Sequence, residues 1–102
     1  AKIRRKRMAK GYWIAQVDIS DPIAYEDYKA ANSAAFNKYG ARFVVRGGKQ
    51  EVIEGSGKSR TVVIEFADYE TAVACYNSME YRLALDIRKD ISNGDLIIVE
   101  GV

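Results

Sequence analysis

The stretch YWIAQVDISDP, residues 12–22, passes from a strand pattern to a helix start and sets the order of the later elements. Apolar side chains alternate along Tyr12–Ile19, which is typical of a strand with one buried face. Asp21 then precedes Pro22, a capping side chain before a proline in the first helical turn. The stretch therefore predicts a strand followed directly by a helix from Asp21.

The rest of the sequence continues this alternation of strand and helix patterns. Strand patterns cover Arg42–Arg46 and Thr61–Phe66, a helical pattern resumes at Asp68, and Leu96–Val99 forms a last strand. The order β-α-β-β-α-β is the ferredoxin-like, split βαβ arrangement. We predict an α+β domain with a four-stranded antiparallel sheet and helices on one face only.

The connection between the second and third strands is rich in glycine. Gly47 and Gly48 interrupt the second strand, and we expect a bulge there with Glu51–Glu54 continuing the strand. The run GSGKS at residues 55–59 resembles the end of a phosphate-binding loop. However, Val52 stands where that loop needs glycine, and a strand follows where it needs a helix. We interpret the run as a hairpin tip.

The face of the sheet without helices predicts how the protein assembles. Val63, Leu96, Ile98 and either Ile14 or its neighbours are expected to form a contiguous apolar patch there. At ~25 cal/mol per Å², covering such a patch is worth several kcal/mol. We predict a homodimer of two-fold symmetry that packs sheet against sheet, the dimeric form of an α+β barrel.

The residue types that are missing exclude several kinds of chemistry. The sequence of 102 residues has no histidine and one cysteine, Cys75. A histidine base, a histidine-ligated haem, a thiolate zinc site and a serine or cysteine nucleophile paired with histidine are therefore excluded. We expect no metal site and no cofactor. The lone cysteine and the lack of an apolar run long enough for a membrane span predict a cytoplasmic protein without membrane contact.

The basic charge is concentrated at the start of the sequence. Five of the first seven residues are Lys or Arg, whereas the sequence from Met8 onward has a net charge of −3. We predict one domain over residues 10–102, with residues 1–9 as a disordered or non-native extension. A basic tail could also bind nucleic acid. The acidic body, and a third strand without the aromatic run of RNA-binding sheets, argue against binding through the sheet.

Arginine residues at inward positions suggest a ligand site. Arg42 and Arg46 are expected on one face of the second strand, and Arg88 lies on an apolar helical stripe. An inward arginine needs a carboxylate partner, either from the protein at the dimer interface or from a bound anion. Both alternatives are open at this point. If the partner is a bound ligand, we expect Arg46 and Arg88 to bind its anionic group.

Tyrosine and glutamate residues complete the predicted site. We assign Tyr28 and Tyr81 to orienting the ligand, with Tyr81 also as a catalytic residue. Glu65 is the one plausible general base. The predicted function is the binding of a small organic or anionic molecule, with chemistry that needs no cofactor. The alternative is a non-enzymatic dimerisation module without a pocket.

Short motifs spread along the chain resemble one family: GYWI at residues 11–14, YGARF at 39–43, RGG at 46–48, EG at 54–55, VIEF at 63–66, YNS at 76–78 and EY at 80–81. Together they resemble the bacterial domain-of-unknown-function family catalogued as thirteen-thirty, over about residues 10–102. The resemblance extends to the dimeric α+β barrel superfamily, which includes cofactor-independent monooxygenases and muconolactone-type isomerases. It implies a dimeric barrel with a site between sheet and helices, and monooxygenase-like or isomerase-like chemistry.

Two positions depart from the family pattern. Cys75 stands where the family often has tryptophan, and Met79 where it often has proline. A smaller residue at position 75 could widen a pocket or loosen the helix packing.

Overall fold

The computed structural model describes residues 9–102 and has the element order expected from the sequence. Its elements are β1 (Gly11–Ile19), α1 (Pro22–Lys38), β2 (Arg42–Arg46), β3 (Arg60–Phe66), α2 (Tyr69–Tyr76), α3 (Met79–Arg88) and β4 (Ser92–Glu100). All four strands form one antiparallel sheet in the order β2-β3-β1-β4. The prediction of a βαββαβ ferredoxin-like fold is confirmed. The predicted tail at residues 1–9 lies almost wholly outside the described residues and stays a prediction.

Each helix begins at a side chain that caps its first turn. Asp21 accepts a hydrogen bond from the Ala24 amide at 3.1 Å, and Asp68 accepts one from the Thr71 amide at 2.8 Å. Ser78 accepts one from the Tyr81 amide at 3.1 Å. These bonds satisfy amide groups that have no partner inside the helix, so the helix starts can be read from the sequence.

Trp13 lies at the centre of the core, between the sheet and the helices. Its indole Nε1 donates to the Ala72 carbonyl at 2.8 Å, which joins β1 to α2. Four aromatic rings surround it with centroids between 4.8 and 5.8 Å away, those of Phe36, Phe66, Tyr76 and Tyr81. A buried aromatic residue in this position contributes strongly to stability through its buried area and edge contacts.

A β-bulge in β2 changes which face its arginines occupy. Arg42 pairs with Glu65 and Arg46 pairs with Val62, but the register shifts between Phe43 and Val45. One extra residue reverses the alternation of side chains beyond it. Arg42 and Arg46 therefore lie on opposite faces, and the prediction that they share one face was wrong.

The chain leaves the sheet at Gly47 rather than continuing as a strand. Gly47 has a φ of 66°, a conformation that favours glycine, and residues 47–59 form a loop without strand structure. Inside the loop, the Gln50 side chain donates to the Lys58 carbonyl and accepts from Thr61. The prediction of a continued strand over Glu51–Glu54 was wrong. Residues 55–59 do lie in the connection of the β2–β3 hairpin, but as the end of a 13-residue loop rather than a tight tip.

The sheet face opposite the helices carries an aliphatic row that crosses all four strands. The row consists of Val45, Val63, Ile14 and Ile97, each paired in register with the next. We call this surface the open face; it also includes Tyr12, Gln16, Arg42, Thr61, Glu65 and Val99.

Two residues predicted for the open face lie on the other side. Leu96 pairs with Ala15 and Ile98 pairs with Trp13, so both pack towards the helices. Ile97 takes their place on the open face, with 56% of its surface exposed. The alternation predicted for this strand was shifted by one residue. A shift of one residue moves every side chain of a strand to the opposite face, so the prediction was wrong.

Within residues 9–102, none of the helices is long and apolar enough to cross a membrane.

Candidate functional site

A cavity of about 440 Å³ lies between the helix-covered face of the sheet and helices α1 and α3. Sites for small molecules typically have volumes of about 300–1,000 Å³ and mostly apolar walls. Aromatic rings form much of this wall: Trp13, Tyr25, Tyr28, Phe36, Phe43 and Tyr76. We call this space the central cavity.

Basic side chains reach the central cavity without matching acids. Lys29, Arg46, Arg60 and Arg88 line it, and of these only Lys29 forms an ion pair with another described residue, Glu26, at 3.0 Å. Within the described part of the chain, the three arginines have no carboxylate partner. The cavity therefore has a concentration of positive charge that the carboxylates of residues 9–102 leave uncompensated.

The one acidic residue in the cavity wall does not change this balance. Asp95 pairs in register with Gln16 of the open face. Strand alternation therefore directs its carboxylate away from the cavity.

Two of the arginines have buried donors without an acceptor. The Nε atoms of Arg60 and Arg88 are both buried and make no hydrogen bond within the described residues. A buried donor without a partner costs about 1–3 kcal/mol, and more when it is charged. The Nε atom of Arg82 is also without a partner, but Arg82 lies outside the cavity wall and its Nη2 donates to the Tyr76 carbonyl.

Gly47 makes room for the Arg60 guanidinium beside the cavity. A Cβ atom at Gly47 would clash with the Arg60 side chain, and the positive φ at this position is a second reason for glycine. The guanidinium carbon of Arg60 lies 5.7 Å from the centre of the Tyr25 ring. The end of β2 thus helps to position an arginine that belongs to β3.

Tyr28 and Tyr81 form a buried pair of hydroxyl groups at the cavity. Their oxygens are 2.9 Å apart, and the Arg88 guanidinium carbon lies 5.7 Å from the centre of the Tyr28 ring. Burial, and then the neighbouring Tyr81, raise the pKa of Tyr28 well above its ordinary value, although Arg88 acts in the opposite direction. Tyr28 is therefore a neutral phenol at physiological pH, able to donate a hydrogen bond but unable to act as a base.

Arg88 stays charged in this partly buried position. Burial lowers its pKa, but Tyr81, Tyr28 and Tyr76 raise it, and the net result is a raised pKa. A guanidinium group is protonated at any physiological pH.

The structure brings together four of the five residues predicted for the site. Tyr28, Arg46 and Arg88 line the central cavity, and Tyr81 contacts it through the hydroxyl of Tyr28.

Glu65, predicted to be the base, lies on the open face instead. It accepts hydrogen bonds from the Tyr12 hydroxyl at 2.9 Å and from Arg42 Nε at 3.3 Å. The Tyr12 hydroxyl, and then Arg42, lower the pKa of Glu65 against a smaller effect of burial. Since the sheet separates it from the cavity, its carboxylate cannot reach a ligand bound there.

Two cavity residues were missed in the sequence, although it contained a signal for each. Arg60 stands two positions before Val62 and four before Ile64, so strand alternation alone places it on their face. Asn32 is buried and lines the cavity from α1. It interrupts the apolar stripe of that helix at the position four residues after Tyr28.

Cys75 does not contribute to the cavity. It is completely buried between α1 and α2, with its Sγ 3.9 Å from the Ala35 carbonyl, and it is absent from the cavity wall. Burial raises its pKa to about 12. The thiol is a small apolar side chain in the helix packing, so the departure from the family pattern at this position does not widen the cavity.

Within residues 9–102, no group of three or more histidine, cysteine, aspartate or glutamate side chains could hold a metal ion.

Fold and cavity together define a small α+β protein of ferredoxin-like topology with a ligand-sized space between sheet and helices. The chain belongs to the family described as "Domain of unknown function (DUF1330)", whose model matches residues 10–102. No protein of curated function matches the sequence.

Solved structures with the same fold come from several bacteria. A protein of unknown function from Rhodopseudomonas palustris has a TM-score of 0.73 at 17% identity, over 94% of this chain and 85% of its own. SnoaB from Streptomyces nogalater, a cofactor-independent oxygenase, has a TM-score of 0.62 at 12% identity, over 89% and 91%. A dimeric ferredoxin-like protein of unknown function from Thermobifida fusca has a TM-score of 0.60 at 16% identity, over 98% and 96%. At these identities the likeness shows the shared fold.

Proposed function

We propose that this protein binds a small organic anion in the central cavity of each subunit of a homodimer, and that its chemistry needs no cofactor. The observation that carries the proposal is the pair of buried, unpartnered Nε atoms of Arg60 and Arg88 at the cavity. A charged donor that is buried without an acceptor is unfavourable in the free protein. An anion in the cavity would supply the missing acceptors.

The surroundings of these arginines favour an organic ligand over an inorganic ion. Trp13, Tyr25 and Phe36 contribute flat apolar walls, which gain from contact with a ring or chain. Tyr28 can donate one hydrogen bond, and the amide of Asn32 can donate or accept. The site therefore offers contacts for an apolar body, an anionic group and one further polar group.

The open face supports the dimer. Its aliphatic row of Val45, Val63, Ile14 and Ile97 crosses the whole sheet, and Ile97 is more than half exposed. Covering such a face removes apolar surface from water, and a two-fold symmetric contact lets each subunit cover the other. The dimeric ferredoxin-like protein from Thermobifida fusca has the same fold, which supports the same assembly here.

Similarity to SnoaB supports chemistry on an organic substrate without a cofactor, of oxygenase or isomerase type. For such chemistry we assign Tyr28 as a hydrogen-bond donor, with Tyr81 bonded behind it, and Arg46, Arg60 and Arg88 as counter-charges. The alternative function, a dimerisation module without a ligand, has less support because it gives no role to a cavity with unpaired arginines.

The fluorescence of Trp13, the only tryptophan in the sequence, offers a direct test of ligand binding. We expect naphthoate to change this fluorescence in a saturable way. Naphthamide, which has the same shape without the charge, should bind at least about tenfold more weakly, a difference of about 1.4 kcal/mol. Equal affinity for the two compounds, or no binding of either, would refute the anion site.

A further inference from the structure

The charges around the central cavity decide in which form an acidic ligand would be bound. Titratable or charged residues contribute to its wall from six elements: Tyr25, Tyr28 and Lys29 on α1, Tyr76 on α2, Arg88 on α3, Arg46 on β2, Arg60 on β3 and Asp95 on β4. Asp95, the one acid among them, is placed on the open face by its pairing with Gln16. Among the described residues, a ligand in the cavity therefore meets cations and tyrosine hydroxyls but no carboxylate.

Two of the cations lie close to the same pair of rings. Arg60 lies 5.7 Å from the centre of the Tyr25 ring, and Arg88 lies 5.7 Å from the centre of the Tyr28 ring. The centres of the two tyrosine rings are 5.2 Å apart. A planar ligand that packs against these rings thus has a guanidinium group near it from β3 and another from α3.

Burial and charge act on such a ligand in opposite directions. An apolar wall favours the neutral form of an acid and raises its pKa, whereas a cation within about 4–6 Å lowers it by about 1–3 units. Here two guanidinium groups have buried Nε–H donors without a partner, and no carboxylate of residues 9–102 forms an ion pair with either. With two such cations at the cavity, we expect the attraction to outweigh the effect of burial.

Among the residues that the structure describes, none places in the cavity a group that could remove a proton as a base. The chain has no histidine, Glu65 lies on the opposite face, and Lys29 is paired with Glu26. A weakly acidic substrate would have to ionise because its anion is stabilised there.

We propose that the central cavity binds a planar phenol or enol as its oxyanion, with Arg60 and Arg88 as counter-charges and Tyr28 as hydroxyl donor. This rests on the proposed function and adds the class of ligand. The ligand's O–H bond breaks, its proton goes to the solvent, and the electron pair stays on the oxygen. Nothing is oxidised or reduced in this step.

The test uses para-nitrophenol, whose anion absorbs visible light and which ionises near neutral pH in water. Its absorbance is followed against pH with and without saturating protein. We expect the pKa of bound nitrophenol to fall by at least about one unit, which corresponds to an anion bound about tenfold more tightly than the neutral phenol.

Three variants locate the effect. Arg60→Met and Arg88→Met each keep an apolar stem but lose the charge, and each should remove at least half of the pKa shift. Arg82→Met is the matched control, because Arg82 packs on the Tyr76 ring at 4.3 Å outside the cavity wall. It should leave the shift unchanged. Circular dichroism checks that each variant is folded, and the wild-type titration tests the proposal even if one variant is not.

The outcomes separate this inference from the proposed function. Suppose that naphthoate binds but that nitrophenol either does not bind or binds without a fall in its pKa. The cavity then binds only compounds that are already anionic in water, and the inference fails while the proposed function stands. If neither compound binds, the proposed function fails with it. A shift that Arg82→Met removes as fully as Arg88→Met does would also overturn the inference.

Discussion

The arginines on the two sides of the sheet differ in whether the protein provides a partner for their charge. On the open face, Arg42 pairs with Glu65, which also accepts from the Tyr12 hydroxyl, so the charge there is compensated within the chain. On the helix-covered side, Arg60 and Arg88 have buried Nε atoms without an acceptor among the residues that the structure describes. Most buried charged groups in folded proteins are paired, either within the protein or by a bound molecule. The proposed anion site accounts for this difference, because a bound anion would supply the acceptor that Glu65 supplies to Arg42 on the open face.

The largest effect should come from the centre of the covered face. Replacing Trp13 with alanine removes the ring on which four other aromatic rings pack, and the hydrogen bond to Ala72. We expect a loss of about 3–5 kcal/mol in the free energy of unfolding. Urea denaturation at fixed protein concentration measures it, since a dimer's stability depends on concentration.

Leu83→Ala serves as the control, because Leu83 on α3 is 63% exposed and should contribute less than about 0.5 kcal/mol. A cost for Trp13→Ala as small as the control's would mean that the core is not where we place it.

The open face can be tested by placing a charge in its aliphatic row. Val63→Asp puts a carboxylate between Val45 and Ile14. A buried unpaired charge is costly, so we expect the dimer dissociation constant to rise at least about 100-fold, or about 3 kcal/mol. Sedimentation velocity at micromolar concentration should show monomers.

Leu83→Asp introduces the same charge on the outer side of α3 and should leave the dimer intact. A wild-type protein that sediments as a monomer would refute the assembly altogether.

Ser78 tests how much a buried polar side chain with both of its hydrogen bonds formed contributes to stability. Its hydroxyl donates to the Cys75 carbonyl at 2.7 Å and accepts from the Tyr81 amide at 3.1 Å, which caps α3. Ser78→Ala should cost about 1–2 kcal/mol, measured by urea denaturation. Ser33→Ala, which removes an exposed hydroxyl bonded only to Ala30, should cost clearly less. Equal costs would argue against the cap.

The smallest effect concerns Glu65 and depends on pH. Because its pKa is lowered in the folded state, Glu65 stabilises the fold above its ordinary pKa, and this contribution is lost as the pH falls through the folded pKa. Glu65→Gln should therefore flatten the fall in stability below about pH 5, seen in denaturation curves at successive pH values. It should not change naphthoate binding. Loss of binding would place Glu65 in the site after all.

The helix starts and the element order follow from local chemistry, so the sequence predicts them. Asp21, Asp68 and Ser78 each cap a helix through neighbours three residues away, and no distant contact is needed. Arg60 could be placed for the same reason, because alternation from Val62 is a local property of the strand.

The phase of the outer strands could not be predicted in this way. Residues 96–99, LIIV, are apolar at every position, so either phase buries an equally apolar face. Only pairing with β1 decides that Leu96 and Ile98 face the helices. In β2, Val44 and Val45 suit either face, and the bulge between Phe43 and Val45 is visible only in the register with β3. The position of Arg46 relative to the cavity depended on this non-local choice, whereas that of Glu65 follows from alternation with Val62 and Ile64 along β3.

The same substitution on both faces tests the central claim most directly. Arg88→Met and Arg42→Met each remove one guanidinium group, from the cavity and from the open face respectively. Isothermal titration with naphthoate should show at least about tenfold weaker binding to Arg88→Met, about 1.4 kcal/mol, and unchanged binding to Arg42→Met. If both variants bind as the wild type does, or if Arg42→Met loses as much affinity as Arg88→Met, the unpaired arginines of the covered face are not an anion site.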